Sequence, residues 1–204
     1  MTYPLMLREL VIDLPTGEFS VNRIDDPRII GPVDYGWSKY HNYLHMTGRR
    51  DPELMTFGGG PLAGSRIPGT RRLVFCSYSP LWDGFYISSM GGAAYIMHRV
   101  GVDFITLQGA APQDSVLVLN HKDGAISVDL EPINPDLIWT GYASSEGERL
   151  IGFYALQQAV YDRLHQNYDG DWLRIFAVGP AARNTNQGII GMEIKARETV
   201  TPSD

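Results

Sequence analysis

Glycine and proline set the strongest limit on how this chain can fold. Of its 204 residues, 22 are Gly and 13 are Pro. They gather in punctuating segments, above all Gly58–Thr70 (GGGPLAGSRIPGT), Gly91-Gly92 and Gly179-Pro180. Proline fixes φ and removes a backbone donor, whereas glycine permits tight turns and close backbone approach. A helical bundle is therefore excluded, and a turn-rich mixed or β-dominated fold is expected. The length suits a single domain over residues 1–204, large enough to bury a core, with a polar tail at about 197–204 that is expected to be mobile.

Between these breaks the sequence alternates as strands do. Arg8–Leu14, Glu18–Arg23, Arg72–Ser77, Asp103–Leu107, Ser115–Asn120, Ala125–Leu130 and Leu173–Val178 read as strands. Lys122-Asp123-Gly124 predicts a hairpin turn, and Gln187–Ala196 is a last strand candidate. The AAYIMHRV segment after Gly91-Gly92 predicts a helix of two to three turns ended by Gly101. Ser144–Asn167 is the clearest helical region by its apolar spacing, while Ser38–Met46 is ambiguous and suits a short helix. Met55–Gly64 (MTFGGGPLAG) and Arg174–Arg183 (RIFAVGPAAR) match at Phe, Gly-Pro and the following Ala. Chance and a duplicated supersecondary unit both account for a match of this length.

Charge and cysteine narrow the function classes. A net charge of −6 disfavours a general nucleic-acid binder. No apolar run is long enough to span a bilayer, and Met1-Thr2-Tyr3-Pro4 does not open a signal peptide. Cys76 is the single cysteine, so no internal disulfide, cysteine-rich zinc site or iron–sulfur cluster can be built from this chain alone. A reducing, cytoplasmic location follows as the expectation.

The individual constellations are thin. Gly59 and Gly64 have P-loop spacing, but Ser65-Arg66 stands where Lys and Ser or Thr are needed, and Pro61 removes an amide. No G-x-G-x-x-G opens a helix, and no G-x-S-x-G elbow occurs. His41 and His45 would share a helical face, yet Asn42 replaces the metalloprotease glutamate and no third ligand is near. Cys76 sits mid-strand, where a small buried residue is expected. Arg66, Arg71 and Arg72 form a basic patch suited either to a phosphate or to surface ion pairs. Neither a catalytic residue nor a metal ligand is assigned.

The segments taken in order are more informative. VIDLPTG (Val11–Gly17), GGGPLAGSRIPGTRR (Gly58–Arg72), SPLWDG (Ser79–Gly84), SSMGG (Ser88–Gly92) and GPAARN (Gly179–Asn184) resemble the N-terminal domain of the tungsten-containing aldehyde ferredoxin oxidoreductases. The resemblance implies an α+β fold: a large curved antiparallel sheet with a few helices and a pseudo-twofold internal duplication. It also implies a platform beneath a bis-molybdopterin tungsten or molybdenum cofactor, whose pterins supply the sulfur ligands. By motif position, Arg72 matches the arginine of the family's PGSGR loop, and Gly91 and Gly92 match the glycines of its SNSGG loop. Ser89 replaces the asparagine of that loop, keeping a hydroxyl and a carbonyl but losing the amide.

Two departures shape the functional expectation. The family's early IGGRG motif is replaced by IIGPVDYGWSK (Ile29–Lys39), and KARETVTPSD stands where the family runs into a glycine-rich segment. The cluster cysteines of the family are absent. The resemblance therefore implies an accessory or partial subunit without its own iron–sulfur cluster, working with a larger oxidoreductase chain or as a homo-oligomer, away from nucleic acid and membrane. The alternatives are the cofactor-binding half of a split tungsten or molybdenum oxidoreductase acting on aldehydes, and a small-ligand module that has lost the cofactor.

Overall fold

The computed structural model describes residues 6–49, 53–145, 147–168, 173–178 and 190–193. They divide into two compact units, residues 1–131 and 132–204. The expected mobile tail and the Gly179-Pro180 turn lie outside the described residues.

The first unit is built on a six-stranded sheet. Its strands are β1 (Leu7–Asp13), β2 (Phe19–Ile24), β3 (Leu54–Gly58), β4 (Leu73–Ser79), β5 (Gly84–Met90) and β6 (Phe104–Gln108), in the order β2-β1-β6-β3-β4-β5. All neighbours run antiparallel except β1 and β6, which are parallel. A further hairpin, β7 (Ser115–Lys122) with β8 (Ala125–Pro132), turns through Asp123 and Gly124, both at positive φ, as the Asp-Gly pair requires. The architecture is the α+β sheet fold expected, with one parallel pair in an otherwise antiparallel sheet.

Alternation assigns the two faces of this sheet. Leu10, Ile12, Ile105, Leu73 and Phe75 are buried on one side. There the short helix α2 (Ala94–Met97) and the 3₁₀ turn His98–Val100 pack, closed by Gly101 at φ 87°. The predicted second helix of two to three turns is thus realised as an α-turn running into a 3₁₀-turn. Glu9, Thr56, Cys76, Phe104 and Thr106 lie on the other face, under α1 (Pro32–Thr47).

Helix α1 is longer than the sequence suggests and starts in the segment that departs from the family motif. Pro32 occupies its first turn, Asp34 accepts from the amides of Ile30 and Gly31 at 3.3 and 3.2 Å, and Gly48 stops it at φ 69°, a sound set of start and stop signals. Pro32, Tyr35, Gly36 and Tyr40 form its buried stripe. Gly36 obscures the helix in the sequence, and packing explains its presence. A Cβ there would lie 2.5 Å from Cys76 Cβ and 2.7 Å from Thr56 Oγ1, so only glycine lets the helix descend onto β3 and β4.

A polar network locks the helix in register. Glu9, 8% exposed, accepts from the Tyr35 hydroxyl at 2.7 Å and from Asn22 Nδ2 at 3.3 Å, and pairs with Lys39 Nζ at 2.7 Å. The Tyr35 hydroxyl also meets Thr106 Oγ1, while its ring stacks on Phe104 at 4.6 Å. Burial works to raise the Glu9 carboxyl, but hydrogen bonds from Lys39, Tyr35 and Asn22 outweigh it and hold the carboxyl below its ordinary value.

The second unit contains α3 (Leu137–Thr140), the two-residue strands β9 (Tyr142–Ala143) and β10 (Arg149–Leu150), helix α4 (Phe153–Leu164) and the antiparallel pair β11 (Ile175–Val178) and β12 (Ile190–Glu193). The helix expected over Ser144–Asn167 is corrected in its first half. Ser144 donates its amide to Glu148 O at 2.8 Å, closing a hairpin, and Gly152 at φ 66°, ψ −149° breaks the chain direction before α4 begins. Leu150 and Ile151 fit the apolar spacing by coincidence. The segment Gly84–Met90, given no strand in the sequence reading, is β5, entered through Asp83 at φ 48°.

Element order bears on duplication. A hairpin, a helix, a strand, a Gly-Pro segment and a further strand occur as β1–β2, α1, β3 and β4, and again as β7–β8, α4, β11 and β12, with α3, β9 and β10 inserted ahead of α4. At the offset that aligns Met55–Gly64 with Arg174–Arg183, Tyr35-Gly36 corresponds to Tyr154-Ala155. Gly36 and Ala155 are both small and buried in their helices. This shared logic favours a duplicated unit over chance.

Three outcomes follow from this packing. Gly36→Ala should cost about 2–3 kcal/mol in urea unfolding followed by Trp37 fluorescence, whereas Gly31→Ala, with open space around it, should cost about 1 kcal/mol or less. Because the Glu9 carboxyl is lowered, its stabilisation is complete above its ordinary value near 4.5 and is lost as pH falls through the depressed value. Glu9→Gln should therefore flatten the acid limb of a stability–pH curve, and an unchanged slope would discount the network. Burial pushes the Cys76 thiol up to about 11, so a thiol–disulfide exchange reagent at neutral pH should label it only after denaturation.

Candidate functional site

The glycine-rich loop after β3 is largely self-satisfied. Ala63 N donates to Gly60 O at 2.9 Å, Ser65 N to Leu62 O at 2.8 Å, and Thr70 Oγ1 to Ile67 O at 2.8 Å. Ala63 is fully buried, and Gly59 lies so near Ala63 and Ala94 that a Cβ on it would meet them at 3.2 and 3.0 Å. The loop thus packs α2 against the sheet, which is the structural role expected where the P-loop pattern fails.

Where the loop re-enters the sheet, the family-matched residues converge. Arg72 immediately precedes β4, and its Nη1 donates to Ser89 Oγ on β5 at 3.2 Å. Leu73 pairs with Met90 and Val74 with Ser89, so the same register places Gly91 across from Arg72. Arg72, Ser89 and Gly91 are exposed. A Cβ on Gly91 would meet nothing within 4 Å, and Gly92 turns the chain at φ 80° toward α2. All four expected residues, separated in sequence by β4 and β5, thus occupy one end of this strand pair. The N-terminal turn of α1 sits close by on the same face, since Cys76 Sγ contacts Pro32 O at 3.6 Å.

This donor set suits an anionic, flat-sided ligand. A guanidinium forks to phosphate or carboxylate oxygens, the Ser89 hydroxyl donates or accepts, and the side-chain-free Gly91 admits close approach to the backbone. These residues fit a phosphorylated pterin in the chemistry they present. Cys76, buried on β4 four residues beyond Arg72 with its thiol held protonated, is not placed to ligate a metal. His41 lies edge-on to Trp37 at 5.7 Å, and His45 is exposed. Among the described residues, no group of three or more His, Cys, Asp or Glu is arranged to hold a metal ion.

The basic patch of the sequence divides on folding. Arg72 turns to Ser89, while Arg71 places its guanidinium carbon 5.2 Å from the centre of the Tyr95 ring. Arg99 approaches the same ring at 5.9 Å. Sequence reading overlooked Tyr95 and Arg99. Their spacing of four within AAYIMHRV is the signal that could have joined them.

The sequence model of the family described as aldehyde ferredoxin oxidoreductase, N-terminal domain, matches residues 9–198, across both compact units. The chain is 43% identical over 141 residues to the glyceraldehyde-3-phosphate:ferredoxin oxidoreductase of Pyrococcus furiosus, covering 69% of this chain and 21% of that protein. It is 29% identical over 184 residues to an uncharacterized protein of Methanocaldococcus jannaschii, covering 89% of this chain and 26% of the other. The chain thus spans about a fifth to a quarter of these relatives. Among solved structures it is similar to the active-site complex of benzoyl coenzyme A reductase with dienoyl-CoA, at 22% identity and a TM-score of 0.47 over 59% of this chain and 19% of that one, too distant to bear on function. No helix among the described residues is long and apolar enough to cross a membrane. A family-model match from Glu9 to Glu198 makes this chain a member of the aldehyde ferredoxin oxidoreductase family, corresponding to its N-terminal domain.

Proposed function

We propose that this chain is the cofactor-side platform of a larger tungsten or molybdenum oxidoreductase acting on aldehydes, an accessory or partial component that completes its site with another, larger chain or segment. The observation that carries the reading is the Arg72–Ser89 hydrogen bond, with Gly91 and Gly92 beside it. It gathers the matched loop residues on an exposed sheet end and presents anion-binding groups without filling the space between them. The two compact units act together as one N-terminal-type domain in this reading, because the family match runs through both.

Arg72 would hold a phosphate or a pterin edge of a bis-molybdopterin cofactor, Ser89 would orient that arginine and donate its own hydroxyl, and Gly91-Gly92 would offer backbone amides. The bound metal–pterin group would supply the two-electron oxidation of the substrate. Electron transfer onward needs an iron–sulfur centre, which normally takes four thiolates; one buried Cys76 does not provide it, so the cluster belongs to the partner component. A reduced, buried lone cysteine also suits a cytoplasmic location. A phosphorylated aldehyde is one candidate substrate, on the printed name of the Pyrococcus furiosus relative.

Expression beside its larger oxidoreductase component in a host supplied with tungstate and molybdate, followed by elemental analysis and pterin fluorescence, tests this function. The wild-type complex should carry metal and pterin. Arg72→Ala should lower both about tenfold, the loss of one charged anion contact. Gly91→Val should do the same with the fold intact, because its Cβ enters open space. Metal and pterin contents unchanged in both variants would remove the assigned residues from the site. A stable wild-type complex without either would favour a repurposed binding module, in line with serine at position 89.

A further inference from the structure

We propose that β5, the last strand of the six-stranded sheet, is a dimerisation edge that pairs antiparallel with β5 of a second copy of this chain. Among the described residues β5 hydrogen-bonds only to β4, which leaves one side of its backbone unpaired. Unpaired edges are normally guarded by charge, proline or a bulge. The opposite edge, β2, is guarded in this way: it carries Arg23, held to Asp25 at 2.7 Å, and Asn22, held to Glu9. Strand β5 (GFYISSM) has neither a charge nor a proline, and its register with β4 is unbroken. Its middle residue, Ile87, is 43% exposed.

The sequence of the strand names its occupant. A twofold axis normal to the sheet through Ile87 sets Ile87 against its own counterpart and every other residue against its mirror position in the strand. Tyr86 then lies beside Ser88, Phe85 beside Ser89 and Gly84 beside Met90. Each large side chain is thus set against a small one, and the central isoleucines meet each other, as direct cross-strand packing requires. The same axis keeps both copies of α1 on one face, because Phe85 and Ile87 share a face with Tyr78 and Cys76. Trp37 on α1, edge-on to Phe85 at 5.2 Å, stays half exposed beside the ladder. At about 150–250 Å² for a large side chain, the exposed parts of Trp37, Leu81, Trp82, Tyr86 and Ile87 come to about 500 Å² per copy. A dimer that covers them buries about 1,000 Å², the lower bound of a specific interface. Each chain carries −6, and two such chains repel least where neither presents a charge. The ladder ends at Met90, short of Gly91, and needs no cofactor.

Analytical ultracentrifugation of the full chain alone, over a concentration series to about 100 μM, should show a monomer–dimer equilibrium with a Kd of about 1–10 μM. Ile87→Lys sets two like charges opposite each other and should raise that Kd at least about tenfold, with an unchanged circular dichroism spectrum. Ile87→Glu should do the same by itself, and an equimolar mixture of the two variants should dimerise again. Ile87→Cys should cross-link across the axis on mild oxidation, whereas Ser20→Cys on the exposed part of β2 should not; the buried Cys76 does not compete. A wild-type chain that stays monomeric throughout the series, or a dimer that Ile87→Lys leaves intact, would overturn the proposal. So would cross-linking at Ser20→Cys in place of Ile87→Cys, or charge variants that stay monomeric when mixed. None of these measurements reads metal or pterin, so a failure here is separate from a failure of the cofactor site.

Discussion

The structure of the first unit turns on one buried carboxylate. A carboxylate taken out of water costs several kcal/mol unless it is fully engaged. Glu9 is engaged by three side chains from two elements: Asn22 on β2, Tyr35 on α1 and Lys39 one turn further along the same helix. Tyr35 extends the network to Thr106 on β6 and stacks on Phe104, while Lys39 also lies over the Tyr35 ring at 5.3 Å. A helix held by these contacts cannot slide or rotate without leaving the carboxylate unpaired, so the network specifies the position of α1 as well as stabilising it.

That position determines what remains exposed. With Tyr35 held over β1 and β6, Gly36 falls on β3 and β4, where the close approach to Thr56 and Cys76 excludes any side chain. Trp37 and Tyr40 then reach Phe85 on β5. The helix begins beside Cys76 and runs toward the β4–β5 turn, leaving the opposite end of these two strands uncovered. Arg72, Ser89 and Gly91 occupy that end. The exposure of these residues is thus a consequence of where the helix stops covering the sheet.

The second unit uses the same parts with different polar chemistry. Ala155 takes the place of Gly36 as the small buried residue, and Gln157 on α4 donates to Ile175 O at 3.0 Å, joining helix to strand through an amide instead of an ion-pair network. A repeated helix–strand–strand element can diverge this way because the shared requirement is only a small residue at the helix–sheet contact. The polar ties on either side are free to change.

The sequence by itself determined the strands bounded by turn residues, the structural character of the glycine-rich loop and the burial of Cys76, while motif order named the four residues proposed for the candidate site. Each is a local matter of alternation, backbone freedom or motif order. Tertiary structure decided the rest. Helix α1 was hidden because Gly36 and Gly31-Pro32 resemble a loop until the contact with Cys76 gives the glycine its reason. The hairpin before α4 was hidden because Leu150 and Ile151 keep a helical period that Gly152 interrupts by its backbone conformation. The Glu9 network, the bond from Arg72 to Ser89 and the two arginines at Tyr95 join residues far apart in the chain or turned to different sides of it. Such pairs are set by strand register and packing direction, which no single stretch of sequence contains.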